Sequence, residues 1–190
     1  MEIDYSDGIP KIKVTPAMRS EMNAIYSQKF SQSNRLNGHT DSLKTDSRKA
    51  GILGEIAFKT LYPVAIISTV YDYDFIYQGK RVDVKCKLRC GPPNWWQEAS
   101  VYAYQLRKNK TDIYYFMSTT PQFNWVWICG YIERNELMLN PKSKLWKAGE
   151  FDKSNGKVFS QDTLSISYRN LKVPRLDGLD VNICEMRKKL

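Results

Sequence analysis

The residues best suited to chemistry lie in GKRVDVKCK, residues 79–87, where Arg81, Asp83, Lys85 and Lys87 alternate with Val82, Val84 and Cys86, and Leu88 follows. Such alternation places a charged row and an apolar row on opposite faces of a half-buried strand. Asp83 and Lys85 therefore emerge on one face, roughly 6–7 Å apart at the backbone. Just upstream, YDYDFIYQ supplies Asp72 and Asp74, joined to the strand by a turn around Gln78-Gly79-Lys80. A two-residue loop at Gln78-Gly79 pairs Asp74 with Asp83, and one at Gly79-Lys80 pairs it with Lys85; both put Asp74 on the charged face. The apolar pattern agrees, since Tyr71, Tyr73, Phe75 and Tyr77 must share a face with Val82, Val84 and Cys86. Asp74 lies closer to the turn than Asp72 and is the better partner for Asp83. Carboxylates facing each other across strands destabilise a sheet unless something neutralises them. A divalent cation does so, and magnesium prefers such hard oxygen ligands. Lys85 beside the ion would hold a water or help to deprotonate it.

A third carboxylate comes from KAGILGEIAFKTLYP, where Gly51 and Gly54 share a helix side with Glu55. A glycine inside a helix costs about 1 kcal/mol relative to alanine, so two together point to close backbone approach. Packing that helix on the hairpin would bring Glu55 to Asp74 and Asp83.

The elements that must position these groups follow from periodicity. Residues 15–31 read as a helix, with Met18, Met22, Ile25 and Tyr26 at helical spacing behind Thr15-Pro16. Residues 32–45 are polar, a loop or weak helix. A second helix is expected from Ser47 to Leu61, capped by Asp46 or Ser47 and stopped before Pro63. Residues 64–77 and 80–89 read as two strands, 90–97 as a loop and 98–108 as a short helix. Residues 111–118 and 125–132 are apolar strands, the first buried on both faces. Beyond Glu133 the chain turns polar, with short strands at 157–160 and 163–168 and a basic end, CEMRKKL. The expected architecture is mixed α/β or α+β with one central sheet. A helical arm over 1–45, a core over 46–135 and an extension over 136–190 packed on the same domain complete it.

GxxGE in a helix, then Asp in YDYDF, then Asp-x-Lys in VDVKCK, resembles the PD-(D/E)XK nuclease superfamily, over about residues 47–132. The resemblance implies a restriction-endonuclease-like fold with an αβββαβ core. It also implies DNA hydrolysis, by an endonuclease more often than an exonuclease, leaving 5′-phosphates. Asp74 and Asp83 would be the metal-binding acids, Glu55 the helix acid, Lys85 the catalytic lysine and the Val84 carbonyl a further ligand. The cofactor would be Mg2+, with Mn2+ as a substitute, and many such enzymes are homodimers. A module that keeps this fold and binds nucleic acid or protein without catalysis is the alternative.

Around this site, Lys87, Arg89, Arg107, Lys108 and Lys110 form a basic surface able to bind phosphates, with Arg48 and Lys49 in the same class. Gln105 falls where several relatives carry a polar residue on the helix after the lysine strand. Trp95 and Trp96, after Gly91-Pro92-Pro93, would stack on bases or pack against the core. The bulk composition is compatible: 190 residues, 42% apolar and +9 in charge suit one globular domain with a polyanionic partner, DNA first and RNA not excluded. Four cysteines lack the spacing of a zinc site or disulfide framework, and His39, the only histidine, lies in a polar stretch and reads as a surface residue. A Ser-His-Asp mechanism would have to pass through it. Neither a signal peptide nor a membrane-spanning run is visible, so a soluble cytoplasmic protein with reduced thiols is expected, Cys86 buried under the sheet.

Overall fold

A computed structural model describes residues 3–30, 42–152, 157–172 and 174. The chain opens with β1 (Ile3–Asp4), β2 (Lys11–Lys13) and α1 (Pro16–Phe30), then α2 (Ser42–Leu61), β3 (Ile66–Ile67), β4 (Phe75–Tyr77) and β5 (Lys80–Leu88). It continues through β6 (Glu98–Tyr102), α3 (Ala103–Lys108), β7 (Ile113–Thr119), β8 (Trp125–Glu133) and α4 (Arg134–Leu139). The last elements are β9 (Lys144–Trp146), β10 (Phe151–Asp152), β11 (Lys157–Val158), β12 (Thr163–Ser167) and a 3-10 turn over Tyr168–Asn170.

A seven-stranded mixed sheet runs in the order β1-β2-β8-β7-β5-β4-β3, and a three-stranded sheet in the order β6-β12-β9. The architecture is thus the mixed α and β class with a central sheet flanked by helices. In the middle, β5 and β7 are parallel, with Asp83 opposite Tyr114 and Lys85 opposite Phe116. Among the described residues, no helix is long and apolar enough to cross a membrane.

Two apolar cores clad the sheet. On one face Met18 and Met22 of α1 and Leu53, Ala57 and Phe58 of α2 pack on Val82, Val84, Tyr115 and Ile128. On the other, Leu106 of α3, Ala99 and Val101 of β6 and Ile166 of β12 pack on Tyr114, Phe116 and Cys129. With both faces covered, β7 is buried from Tyr114 to Thr119, as its unbroken apolar run requires.

Several local expectations are corrected. Residues 64–77 form two short strands, paired Ile66 with Ile76 and Ile67 with Phe75. The reversal between them is closed by the Ser68 amide donating to the Asp74 carbonyl at 2.8 Å and the Val70 amide to Ser68 Oγ at 3.1 Å. Only Phe75 and Tyr77 therefore join the apolar face; Tyr71 is fully exposed. Residues 98–108 are half strand, because Ala99 and Val101 alternate into the second core while Tyr102 points out; the helix starts at Ala103. The second helix starts at Ser42, so Asp46 and Ser47 sit inside it instead of capping it. Cys86 is half-buried under α2 instead of fully covered. Early residues enter the sheet too, with Lys11, Ile12 and Lys13 pairing with Trp127, Val126 and Trp125. His39 and the basic end from Cys184 lie outside the described residues.

Candidate active site

The β4–β5 hairpin fixes the geometry. Tyr77 pairs with Lys80, Ile76 with Arg81 and Phe75 with Val82, leaving Gln78 and Gly79 as the turn. Both adopt positive φ (49° and 73°), the conformation of the tight turn whose twist matches its strands. Extending the register brings Asp74 opposite Asp83, the first of the two pairings the sequence allows. The Asp74 amide donates to the Val82 carbonyl at 2.9 Å, and Asp74 Oδ2 accepts the Val84 amide at 2.7 Å. Val84 thus enters the site through its backbone N–H, with its side chain in the core.

Asp83 is 5% exposed. Its Oδ2 lies 2.8 Å from Lys85 Nζ, the same-face pairing that the two-residue spacing dictates. Glu55 arrives through Gly54: a Cβ placed there would stand 2.5 Å from Cys86 Cβ, so only glycine lets α2 lie this close to β5. Gly51, by contrast, has no atom within 4 Å of its would-be Cβ.

These groups feel one another. Burial pushes the Asp74 carboxyl up to about 7, reinforced by the Asp83 and Glu55 charges and opposed by the Val84 N–H and Lys85. Burial also raises Glu55, with Asp83 adding to it; Lys29 and Lys85 pull it back. Tyr114, opposite Asp83 on β7, is pushed up to about 12 by burial and then by the Asp83 charge. Lys29, on α1, was not singled out by sequence reasoning. Nothing local marks it, because the α1–α2 packing that brings it to Glu55 is a tertiary contact. Asp72 is placed elsewhere, with its carbonyl accepting Thr111 Oγ1 at 2.8 Å.

No family model and no curated protein matches this sequence.

The other proposed contacts separate into groups. Lys85 and Gln105 line one hollow of about 380 Å3. Lys87 Nζ and Arg89 Nη2 both donate to the Glu98 carbonyl, at 2.8 and 3.2 Å, and Arg89 Nη2 also to Tyr168 OH at 2.7 Å. Arg107, Lys108 and Lys110 are exposed on and just after α3. Trp95 packs against the second core, whereas Trp96 is 72% exposed beneath the Arg169 guanidinium, 4.6 Å from its ring. Arg48 and Lys49 stand over Phe30 and Tyr26 at 4.7 and 5.4 Å.

The donor set fits a hard divalent cation in its chemistry: the Asp83 charge raises the cost of ionising both Asp74 and Glu55, and Lys85 is paired with Asp83. Among the described residues, no group of three or more His, Cys, Asp or Glu side chains stands already gathered for an ion. One Asp83 oxygen faces Lys85 and one Asp74 oxygen the Val84 amide, so side-chain adjustment would accompany loading.

Proposed function

We propose that this protein is a metal-dependent nuclease that hydrolyses phosphodiester bonds in DNA, with Asp74, Asp83 and Glu55 as the candidate holders of Mg2+. The supporting observation is the electrostatic coupling of Asp74, Asp83 and Glu55, with Lys85 paired to Asp83, on a strand edge that opens into a hollow lined by Lys85 itself. When bound, a divalent ion supplies charge neutralisation and a more acidic water.

The chain's own groups would do the rest. Asp83 holds the Lys85 ammonium in the site, where it would stabilise charge on a phosphate oxygen or hold a water by hydrogen bonding. Asp74, its carboxyl raised by burial to about 7, would give up its proton on taking an ion. Gln105, in the same hollow, would orient a phosphate or water by hydrogen bonding. Cys86, Cys90 and Cys129 are free thiols, which suits a reducing cytoplasm.

Purified protein incubated with supercoiled plasmid, linear duplex, single-stranded DNA and a four-way junction, in Mg2+, Mn2+ or EDTA, tests the reading. Metal-dependent cutting lost in D83N and K85A is the expected result. One observation favours a second reading: the tight Asp83–Lys85 pair satisfies both charges without a metal, as a binding module would require. DNA shifted on a gel equally in Mg2+ and EDTA, and intact in every lane, would select it.

A further inference from the structure

From Lys85 the hollow does not end. It adjoins a second of about 370 Å3, and the two share Cys86, Lys87, Ser100 and Phe159. Together they form one cleft whose floor is β5. Lys85 and Lys87 on β5, and Arg89 just past its end, recur at every second position and add three cations to the cleft. Ser47 and Gly51 of α2 form one wall; Ser100 and Tyr102 of β6, with Thr163 and Ser165 of β12, form the other. Two acids share this lining: Asp152, 3% exposed, and Glu98, whose carboxylate accepts Ser165 Oγ at 2.7 Å. Lys87 and Arg89 are anchored on the Glu98 carbonyl, so their charges are already in position.

At the mouth near Lys85 stands a feature that none of this explains. Tyr102 and Tyr104 are 41% and 40% exposed, and their rings stack on each other at 5.8 Å with an interplanar angle of 16°. Tyr102 also lines the hollow that contains Lys85 and Gln105. Exposed aromatic faces beside a cationic groove bind bases by stacking, and only unpaired bases offer their faces.

We propose that this cleft receives single-stranded DNA, with phosphates along Lys85, Lys87 and Arg89 and a base on the Tyr102–Tyr104 pair. This deepens the nuclease reading and rests on it for the location of the chemistry: the substrate would be an unpaired strand or a frayed end.

Gly51 provides a clean probe, because it lines the cleft and has open space where a side chain would go. Fluorescence anisotropy in EDTA, with a labelled oligothymidine strand and a labelled duplex of equal length, separates binding from cutting. The wild type is expected to favour the single strand by at least 10-fold. Y102A/Y104A should weaken that binding by about 5- to 100-fold, the range for loss of base stacking. G51E, which adds a carboxylate to the cleft, should weaken it several-fold, and G51A should not. Equal or tighter duplex binding overturns the proposal, as does wild-type affinity for the single strand in both Y102A/Y104A and G51E. Single-strand binding with this variant pattern but no metal-dependent cutting would sink the nuclease reading and leave the cleft standing. Duplex cutting in Mg2+ that these variants leave untouched would do the reverse.

Discussion

Two aspartates close to β5 respond to the fold in opposite directions. Asp112 accepts the Arg81 side chain through Nε at 2.8 Å and Nη2 at 2.6 Å, and the Arg81 amide at 2.9 Å. The Arg81 side-chain hydrogen bonds hold its carboxyl down to about 2 against the opposing cost of burial. Asp74 accepts one backbone N–H and faces Asp83 and Glu55; desolvation and those two charges push it up to about 7. The first is a satisfied ion pair with nothing left to bind. The second carries a cost of ionising that a proton or a cation would relieve, the perturbation that makes it a candidate site.

The widest separation between the two should appear in catalysis. D83N, K85A and D74N are each expected to lower the rate of metal-dependent DNA cleavage by on the order of 100- to 1,000-fold, the usual cost of removing one positioned charge. D112N should stay within a few-fold of wild type in the same plasmid assay. Comparable losses in D112N and D74N would erase the distinction and assign both to folding.

Next in size is the helix that brings Glu55 to Asp74. Gly54→Ala forces a Cβ into Cys86, which stands 2.5 Å away, and over-packing of this kind costs about 1–3 kcal/mol. Gly51→Ala meets no atom within 4 Å and should gain up to about 1 kcal/mol of helix propensity. Urea denaturation of the two variants gives the comparison directly. If G54A is as stable as wild type, α2 has room to move and Glu55 is not held by that contact.

Those two glycines also show how far the sequence could be read. Their pairing in GILGE signals close approach, but periodicity could not tell that Gly54 meets β5 while Gly51 opens onto the cleft. The hairpin was legible because Gln78-Gly79 carries its own turn chemistry, and because alternation along VDVKC leaves only one face for Asp83 and Lys85. Over residues 98–102, alternation was present too, but five residues followed directly by a helix read equally as its first turns. The partner that makes them a strand, β12, lies more than sixty positions away. Lys29 and the Tyr102–Tyr104 pair were invisible for the same reason: their neighbours are set by packing, not by spacing.

Stability against pH tests the raised carboxyl itself. Asp74 binds its proton more tightly folded, at about 7, than unfolded, at the ordinary 3.8. Its contribution is therefore fully present below the unfolded value and is lost as pH rises through the folded one. D74N, which cannot ionise, should match wild type at pH 4 and exceed it by about 1–3 kcal/mol at pH 8. Mg2+ at pH 8 should raise the wild-type Tm and leave that of D74N nearly unchanged. A wild-type Tm indifferent to Mg2+ would mean that the cost of ionising is relieved by protons alone.

The smallest effect belongs to Asp112, with the opposite sign. Its folded value lies below its unfolded one, so its contribution is present above the unfolded value and disappears as pH falls through about 2. Its side chain is 30% exposed, and that of Arg81 38%. Solvent screening therefore limits the pair to about 0.5–1 kcal/mol despite the forked geometry. D112N should lower stability by that amount at pH 7 and by nothing near pH 2, with 1 M salt closing most of the gap. Its pH profile would then mirror that of D74N, one variant losing and the other gaining as the medium turns basic. If D112N instead costs several kcal/mol and resists salt, the Arg81 fork is organising the start of β5, and part of what holds Asp74 and Asp83 in register comes from the scaffold pair.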